Sequence, residues 1–234
     1  MTNTLNIFRK EFRGYFISPI AYIVISIFLI LTGWFFFSTF FLYGQAEMRG
    51  FFSLLPIIFS FIIPAITMKL FSEEFNTGSY ELLLTLPVSS LNIILGKFLA
   101  AVAFAAIMLV PTFSYAVFIS FLGDLDWGPV MGGYVGAVLL VASFSAIGLF
   151  ASSITRNQII AFITGMSLCF LLTLIDKILF FLPESALNFF QFLGADFHFR
   201  NISKGVIDSR DLLYFISVCF VMLYSTNLVI QEKT

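Results

Sequence analysis

The sequence predicts an all-α integral membrane protein with six transmembrane helices, preceded by an interfacial amphipathic helix at the N-terminus. Three observations predict it. The chain is 60% hydrophobic and only 11% charged, with a mean hydropathy of +1.03. Six apolar runs approach or exceed the roughly 20 residues needed to cross a hydrocarbon core about 30 Å thick. Charge gathers in the connections between those runs rather than inside them. A net charge of −1 leaves no basic footprint for nucleic acid. Cys169 and Cys219 both lie inside apolar runs and are too few for a disulfide framework or a thiolate metal site. The whole of 1–234 reads as one transmembrane domain. Within it, 4–16 forms the interfacial helix, 72–91 a cytoplasmic loop carrying a short helix, and 183–211 an extracytoplasmic segment.

In chain order, Thr4 to Phe16 places Leu5, Phe8, Phe12, Tyr15 and Phe16 on one side of a helix and Arg9, Lys10 and Arg13 on another. That pattern suits a helix lying in the headgroup plane with its basic face toward anionic lipid. The first apolar run extends from Pro19 to Tyr43. It is longer than the roughly 7–15-residue core of a signal peptide and is expected to remain as an anchor. The six spans are Ile20–Leu42, Phe51–Phe71, Phe98–Leu122, Val130–Ile154, Ile159–Leu182 and Leu212–Ile230. Arg9, Lys10, Arg13, Lys69, Lys97, Arg156 and Lys233 then fall on one side of the bilayer. Glu47, Arg49, Asp124 and Asp126 fall on the other. Lys and Arg favour the cytoplasm in short loops, so both termini are placed inside.

Pro56, Pro64 and Pro111 lie within spans, either as hinges or as the ordinary prolines of membrane helices. Thr112 and Ser114 can satisfy carbonyls freed near Pro111. Gly128, Gly132 and Gly136 repeat every four residues in the fourth span. Such a row lets another helix approach closely, from this chain or from a second one. Gly128–Pro129 reads as the start of that helix, with Pro129 at its first position. Asp176 and Lys177, near the outer end of the fifth span, are either functional groups or side chains snorkelling to the interface. In the segment 183–211, ESALNFFQFLG forms an outer-surface helix ending at Gly194. His198 has no second histidine or cysteine nearby for a zinc site and reads as a surface residue.

Enzyme chemistry finds no support. The Glu73–Glu74 pair resembles the paired glutamates of one intramembrane protease class, but Gly78 stands where that class has arginine. Gly165-Met166-Ser167-Leu168 resembles half of the rhomboid serine motif without its closing glycine or a histidine base. There is no G-x-x-x-x-G-K-[ST] loop, so the chain is not expected to hydrolyse ATP by that route.

The most informative stretch is Met68 to Lys97, where Lys69, Glu73, Glu74 and Glu81 cluster between two apolar spans. Gly78 permits a sharp turn, Ser79 can cap a helix with a favourable Glu81 in its first turn, and Pro87 stops that helix. Ser89 or Ser90 can cap the next. The pattern Glu73-Glu74-x-x-x-Gly78-Ser79-x-Glu81-Leu82-Leu83-Leu84-Thr85-Leu86-Pro87, followed by Gly96-Lys97, resembles the signature of ABC-2-type transporter permeases. Two further stretches resemble the gliding-motility-associated (Gld-type) subgroup. One runs from Phe8-Arg9-Lys10-Glu11-Phe12 through Ser18-Pro19-Ile20-Ala21-Tyr22 to Gly33-Trp34-Phe35-Phe36; the other is Lys204-Gly205-Val206-Ile207-Asp208-Ser209-Arg210-Asp211 ahead of Tyr214-Phe215.

The resemblance implies an ABC-2, type V exporter-like permease in the bacterial inner membrane, working as a pair of permease chains. A separate ABC ATPase subunit would bind ATP and Mg, and this chain would bind no cofactor. An extracytoplasmic auxiliary subunit and membrane lipid complete the implied partners. Carried onto this sequence, Ser79 to Leu86 is the coupling helix. Glu73, Glu74, Gly78, Ser79, Glu81, Leu82, Leu83 and Pro87 are its contacts or supports. Arg9, Lys10 and Arg13 serve either as a second contact or as lipid-facing charges. A stand-alone channel or secondary carrier, and a non-transporting scaffold of an ATP-driven machine, are the competing readings.

Overall fold

The structure, a computed structural model, describes residues 2–43, 47–84, 88–178, 191–206 and 208–233. In chain order the helices are α1 (Thr2–Ile17), α2 (Pro19–Tyr43), α3 (Arg49–Thr67), α4 (Lys69–Thr77), α5 (Ser79–Leu84) and α6 (Ser90–Leu109). A 3₁₀ turn (Val110–Thr112) leads into α7 (Phe113–Ser120). Then come α8 (Trp127–Ile154), α9 (Gln158–Ile178), α10 (Ala195–Ser203) and α11 (Ser209–Glu232). Among the described residues there is no strand. Six helical stretches are long and apolar enough to cross a membrane: α2, α3 with α4, α6 with α7, α8, α9 and α11. The predicted class therefore stands.

Small side chains decide which span sits at the centre. α8 packs against α3, α6, α9, α10 and α11, and it can do so because glycine, alanine and serine line its faces. A Cβ on Gly133 would overlap the Phe52 ring, and one on Gly148 would overlap the Thr67 hydroxyl. The four-residue glycine row resolves to a partner within this chain. A Cβ on Gly132 would overlap the Ile202 carbonyl oxygen, and one on Gly136 would lie 3.2 Å from side-chain carbons of both Ile202 and Phe199. Both glycines thus seat α10. Gly205, at φ +87°, turns the chain after α10 so closely that its own Cβ would meet the Gly128–Pro129 backbone at 3.1 Å. The helix start differs from expectation. α8 begins at Trp127, because the Asp126 carboxylate accepts the Gly128 amide at 3.0 Å and caps it two residues earlier.

The prolines act differently from one another. α3 continues through both Pro56 and Pro64. Ser60 and Thr67 hydroxyls donate back to the Pro56 and Ile63 carbonyls at 2.7 Å and 2.9 Å. At Pro111 the α-helix gives way to the 3₁₀ turn, and the Val110 amide takes the Ile107 carbonyl that Pro111 cannot. Thr112 and Ser114 donate to the Leu109 and Pro111 carbonyls, each at 2.7 Å.

His198 is not a surface residue. It is fully buried at the end of the bundle opposite the chain termini, on α10. The turn between α10 and α11 brings Asp211 beside it, with Nδ1 2.6 Å from Oδ1. Nε2 donates to the Phe192 carbonyl at 2.8 Å, and the ring stacks on Tyr214 at 4.1 Å. The proposed outer-surface helix ending at Gly194 lies mostly outside the described residues. Lys177 is exposed, as a snorkelling side chain would be.

Two substitutions test this packing. Gly132→Val forces α10 off α8 and is expected to lower stability by about 1–3 kcal/mol, read as a lower unfolding temperature in detergent. His198→Leu leaves the Asp211 carboxylate buried without its partner. About 3 kcal/mol or more should be lost, while the shape-conserving Asp211→Asn costs less in the same measurement.

Candidate functional site

At the end of the bundle that carries both termini, four elements meet around α4. α1 reaches it by lying along α6. Ile7, Phe8, Phe12 and Phe16 pack inward and Tyr15 is buried, while Leu5, expected on the same face, is 48% exposed. Gly96 makes the approach possible, since a Cβ there would sit 2.7 Å from an Ile7 methyl. Thr4 donates to the Asn92 side-chain oxygen at 3.0 Å. Tyr15 stacks on Phe104 at 4.8 Å and donates to the Ile66 carbonyl at 3.3 Å, fixing α1 to the end of α3. Burial, then the nearby Glu11 carboxylate, push its phenol well above the ordinary tyrosine range. Arg9, Lys10 and Arg13 stay exposed on the far side.

The centre of the site is Lys97. Its side chain is 1% exposed, and its ammonium reaches three oxygens on two other helices. It donates to Glu74 Oε1 at 2.7 Å, to the Leu70 carbonyl at 2.7 Å and to Glu11 Oε1 at 3.1 Å. The Phe71 ring lies 5.2 Å from the same nitrogen. A buried ammonium is tolerable only when all its protons are taken, and here they are. The arrangement leaves Glu74 Oε2 buried without a hydrogen-bond partner. A charged cleft of about 330 Å³ opens beside it, bordered by Lys10, Glu11, Lys69, Glu73, Glu74 and Lys97.

Two further clamps hold α4. The Ser152 hydroxyl of α8 accepts the Phe71 and Ser72 amides at 2.9 and 3.0 Å and donates to the Met68 carbonyl at 2.8 Å. It therefore caps the first turn of α4 from another helix, where free amides remain. Lys233, just beyond α11, lies 4.5 Å from the Phe75 ring and donates to the terminal carbonyls of α8, Ser153 at 2.7 Å and Ile154 at 3.3 Å. Desolvation, then the Arg156 charge, lower its affinity for the proton.

The carboxylates separate into different environments. Glu74 faces inward to Lys97, whereas Glu73 and Glu81 are exposed. Gly78 ends α4 in the left-handed region at φ +71°. Ser79 follows as the first residue of α5 rather than as a cap preceding it, its hydroxyl 2.9 Å from that of Thr77. Tyr80 is buried against Phe71 and Phe75 and anchors α5 on α4. Leu82 and Leu83 fall on α5, and Pro87 lies outside the described residues. Of the glycine row, Gly132 and Gly136 face α10 and Gly128 backs onto Gly205, so none belongs to this site. Glu11, Ser152 and Lys233 were missed from sequence. Lys97 carried the one readable signal, a lysine set inside an apolar helix, which demands a carboxylate without saying which. Among the described residues no cluster of metal-ligand side chains occurs.

Residues 5–204 match the family described as ABC-2 family transporter protein. The match covers most of the chain, and this protein belongs to that family of membrane transporter proteins. No curated protein matches the chain.

Lys97→Met is expected to lower stability by about 3–5 kcal/mol, because it leaves Glu74 without a cation and Glu11 with only the exposed Lys10, 3.8 Å away. Adding Glu11→Gln and Glu74→Gln to it should recover much of the loss. An unfolding temperature unchanged in the single variant would show that the ion pairs do not hold α1, α4 and α6 together.

Proposed function

We propose that this chain is the permease subunit of an ATP-driven transport complex in a bacterial cytoplasmic membrane, with both termini cytoplasmic. A separate ABC ATPase subunit binds ATP and Mg, and a second permease chain completes the pathway. α5 is the coupling helix. The observation that carries this reading is the short α4–α5 projection, anchored on three neighbouring elements, in a chain of the ABC-2 family. A helix so anchored can pass a push from outside into the spans as a rigid body. α5 seats in a groove of the ATPase, with exposed Glu81 as its charged contact and Glu73 at the edge of the contact. Glu74 supports the helix from behind through Lys97 rather than touching the partner.

Arg9, Lys10 and Arg13 face lipid headgroups, and the face bearing α10 is where an extracytoplasmic subunit would dock. The resemblance to the gliding-motility-associated subgroup makes mechanical work on the membrane an alternative output of the same coupling.

Mild extraction of a tagged copy should recover an ATPase subunit. Glu81→Lys should lower that recovery about tenfold while the chain remains inserted and folded. Recovery of no ATPase, or recovery unaffected by Glu81→Lys, counts against α5 as the contact. Liposomes holding the purified complex, with and without ATP, separate transport from mechanical work.

A further inference from the structure

A second crevice adjoins the Lys97 cleft and shares Tyr15, Lys69 and Glu73 with it; of its lining, the coupling scheme uses Glu73 alone. Its volume is about 380 Å³, and it opens where the first residues of α2 and α9 meet the ends of α1 and α3. That position is the boundary at which the spans begin and end, the level of lipid headgroups. Inside, the walls are apolar, formed by Ala21, Val24, Ala65, Ile66 and Phe104. The mouth is charged. Lys69 and Glu73, one turn apart on α4, both border it.

Among the described residues Lys69 pairs with no carboxylate, and its ammonium rests 5.3 Å from the Tyr15 ring. A half-buried cation resting on an aromatic face can take an anion at little desolvation cost. Glu73 is exposed, and among the described residues it pairs with no cation. The crevice therefore offers one positive group, one negative group, and an apolar slot running inward from both.

We propose that this crevice binds a phospholipid with a phosphoethanolamine headgroup, from the leaflet on the side of the chain termini. The phosphate sits on Lys69, the primary ammonium on Glu73, and an acyl chain lies along Val24, Ala65 and Phe104. The separation of charges selects the headgroup. Phosphatidylglycerol has no cation for Glu73, and the quaternary ammonium of phosphatidylcholine has no N–H to donate. The apolar walls select a lipid over a free headgroup. The site shares Glu73 with the edge of the proposed ATPase contact, but it needs no ATPase and rests only on the membrane placement of the spans.

Native mass spectrometry of the purified, delipidated protein, titrated with each lipid at matched chain length, tests it. Phosphatidylethanolamine should be retained about tenfold better than phosphatidylcholine, the factor expected for one charge-assisted hydrogen bond. Lys69→Gln should weaken phosphatidylethanolamine and phosphatidylglycerol alike. Glu73→Gln should abolish the preference for phosphatidylethanolamine over phosphatidylcholine. Val24→Phe should reduce retention of all three lipids. Unfolding temperatures of the variants, matched to the parent, keep misfolding from imitating a loss of binding. Equal retention of the three lipids by the parent protein overturns the proposal. So does Lys69→Gln binding as the parent does, or free phosphoethanolamine binding as tightly as the lipid.

Discussion

One ammonium group holds this end of the molecule together. Lys97 rises from α6 into a place that water does not reach, and it is satisfied by Glu11 of α1 and by Glu74 and the Leu70 carbonyl of α4. Displacing α4 takes away two of the three oxygens and displacing α1 the third, so the ammonium is fully satisfied only with all three helices in place. The other clamps act in the same direction. Ser152 takes the free amides at the start of α4, and Lys233 meets Phe75 near its end. A nine-residue helix is thereby held by α1, α6, α8 and the end of α11. Its own length could not stabilise it in water.

The opposite end is built on a different principle. There the backbone of α8 is bare enough for α10 to lie against it, and the close fit of Gly132 and Gly136 replaces side-chain interdigitation. A buried imidazole and carboxylate then pin α10 to the first turn of α11. The two ends share α8 but no polar contact. One is tied by long ionic side chains, the other by close fit and a single buried imidazole–carboxylate pair.

Much of the fold was legible because apolar run length is a local property. All six spans and the interfacial helix could be placed from windows of the sequence, and the turn at Gly78 from one residue's freedom to adopt positive φ. What stayed hidden was pairing across distance. His198 read as a surface residue because Asp211 is thirteen positions away, beyond any helical spacing, and only the turn at Gly205 brings them together. Glu11 looked like one more charge on an amphipathic helix, since its cation lies in a different span. Ser152 looked like filler in a row of small residues, yet its hydroxyl caps another helix. The glycine row offered a close-packing surface with its partner open, because α10, which lies against Gly132 and Gly136, carries no comparable repeat. Glu73 and Glu74 are neighbours in sequence with identical chemistry, and only the geometry of α4 assigns one to the interior and the other to the surface.

The span from Glu11 to Lys97 is 86 residues, and this separation bears on the order of assembly. Contacts between residues so far apart form late. During synthesis α1 emerges before α6, its glutamate accompanied only by the exposed Lys10. Its seat does not exist until the third span has been inserted and presents both Gly96 and Lys97. α1 therefore waits for a helix made after it. Its docking needs α6, and the Glu74 carboxylate of α4 meets it at the same ammonium.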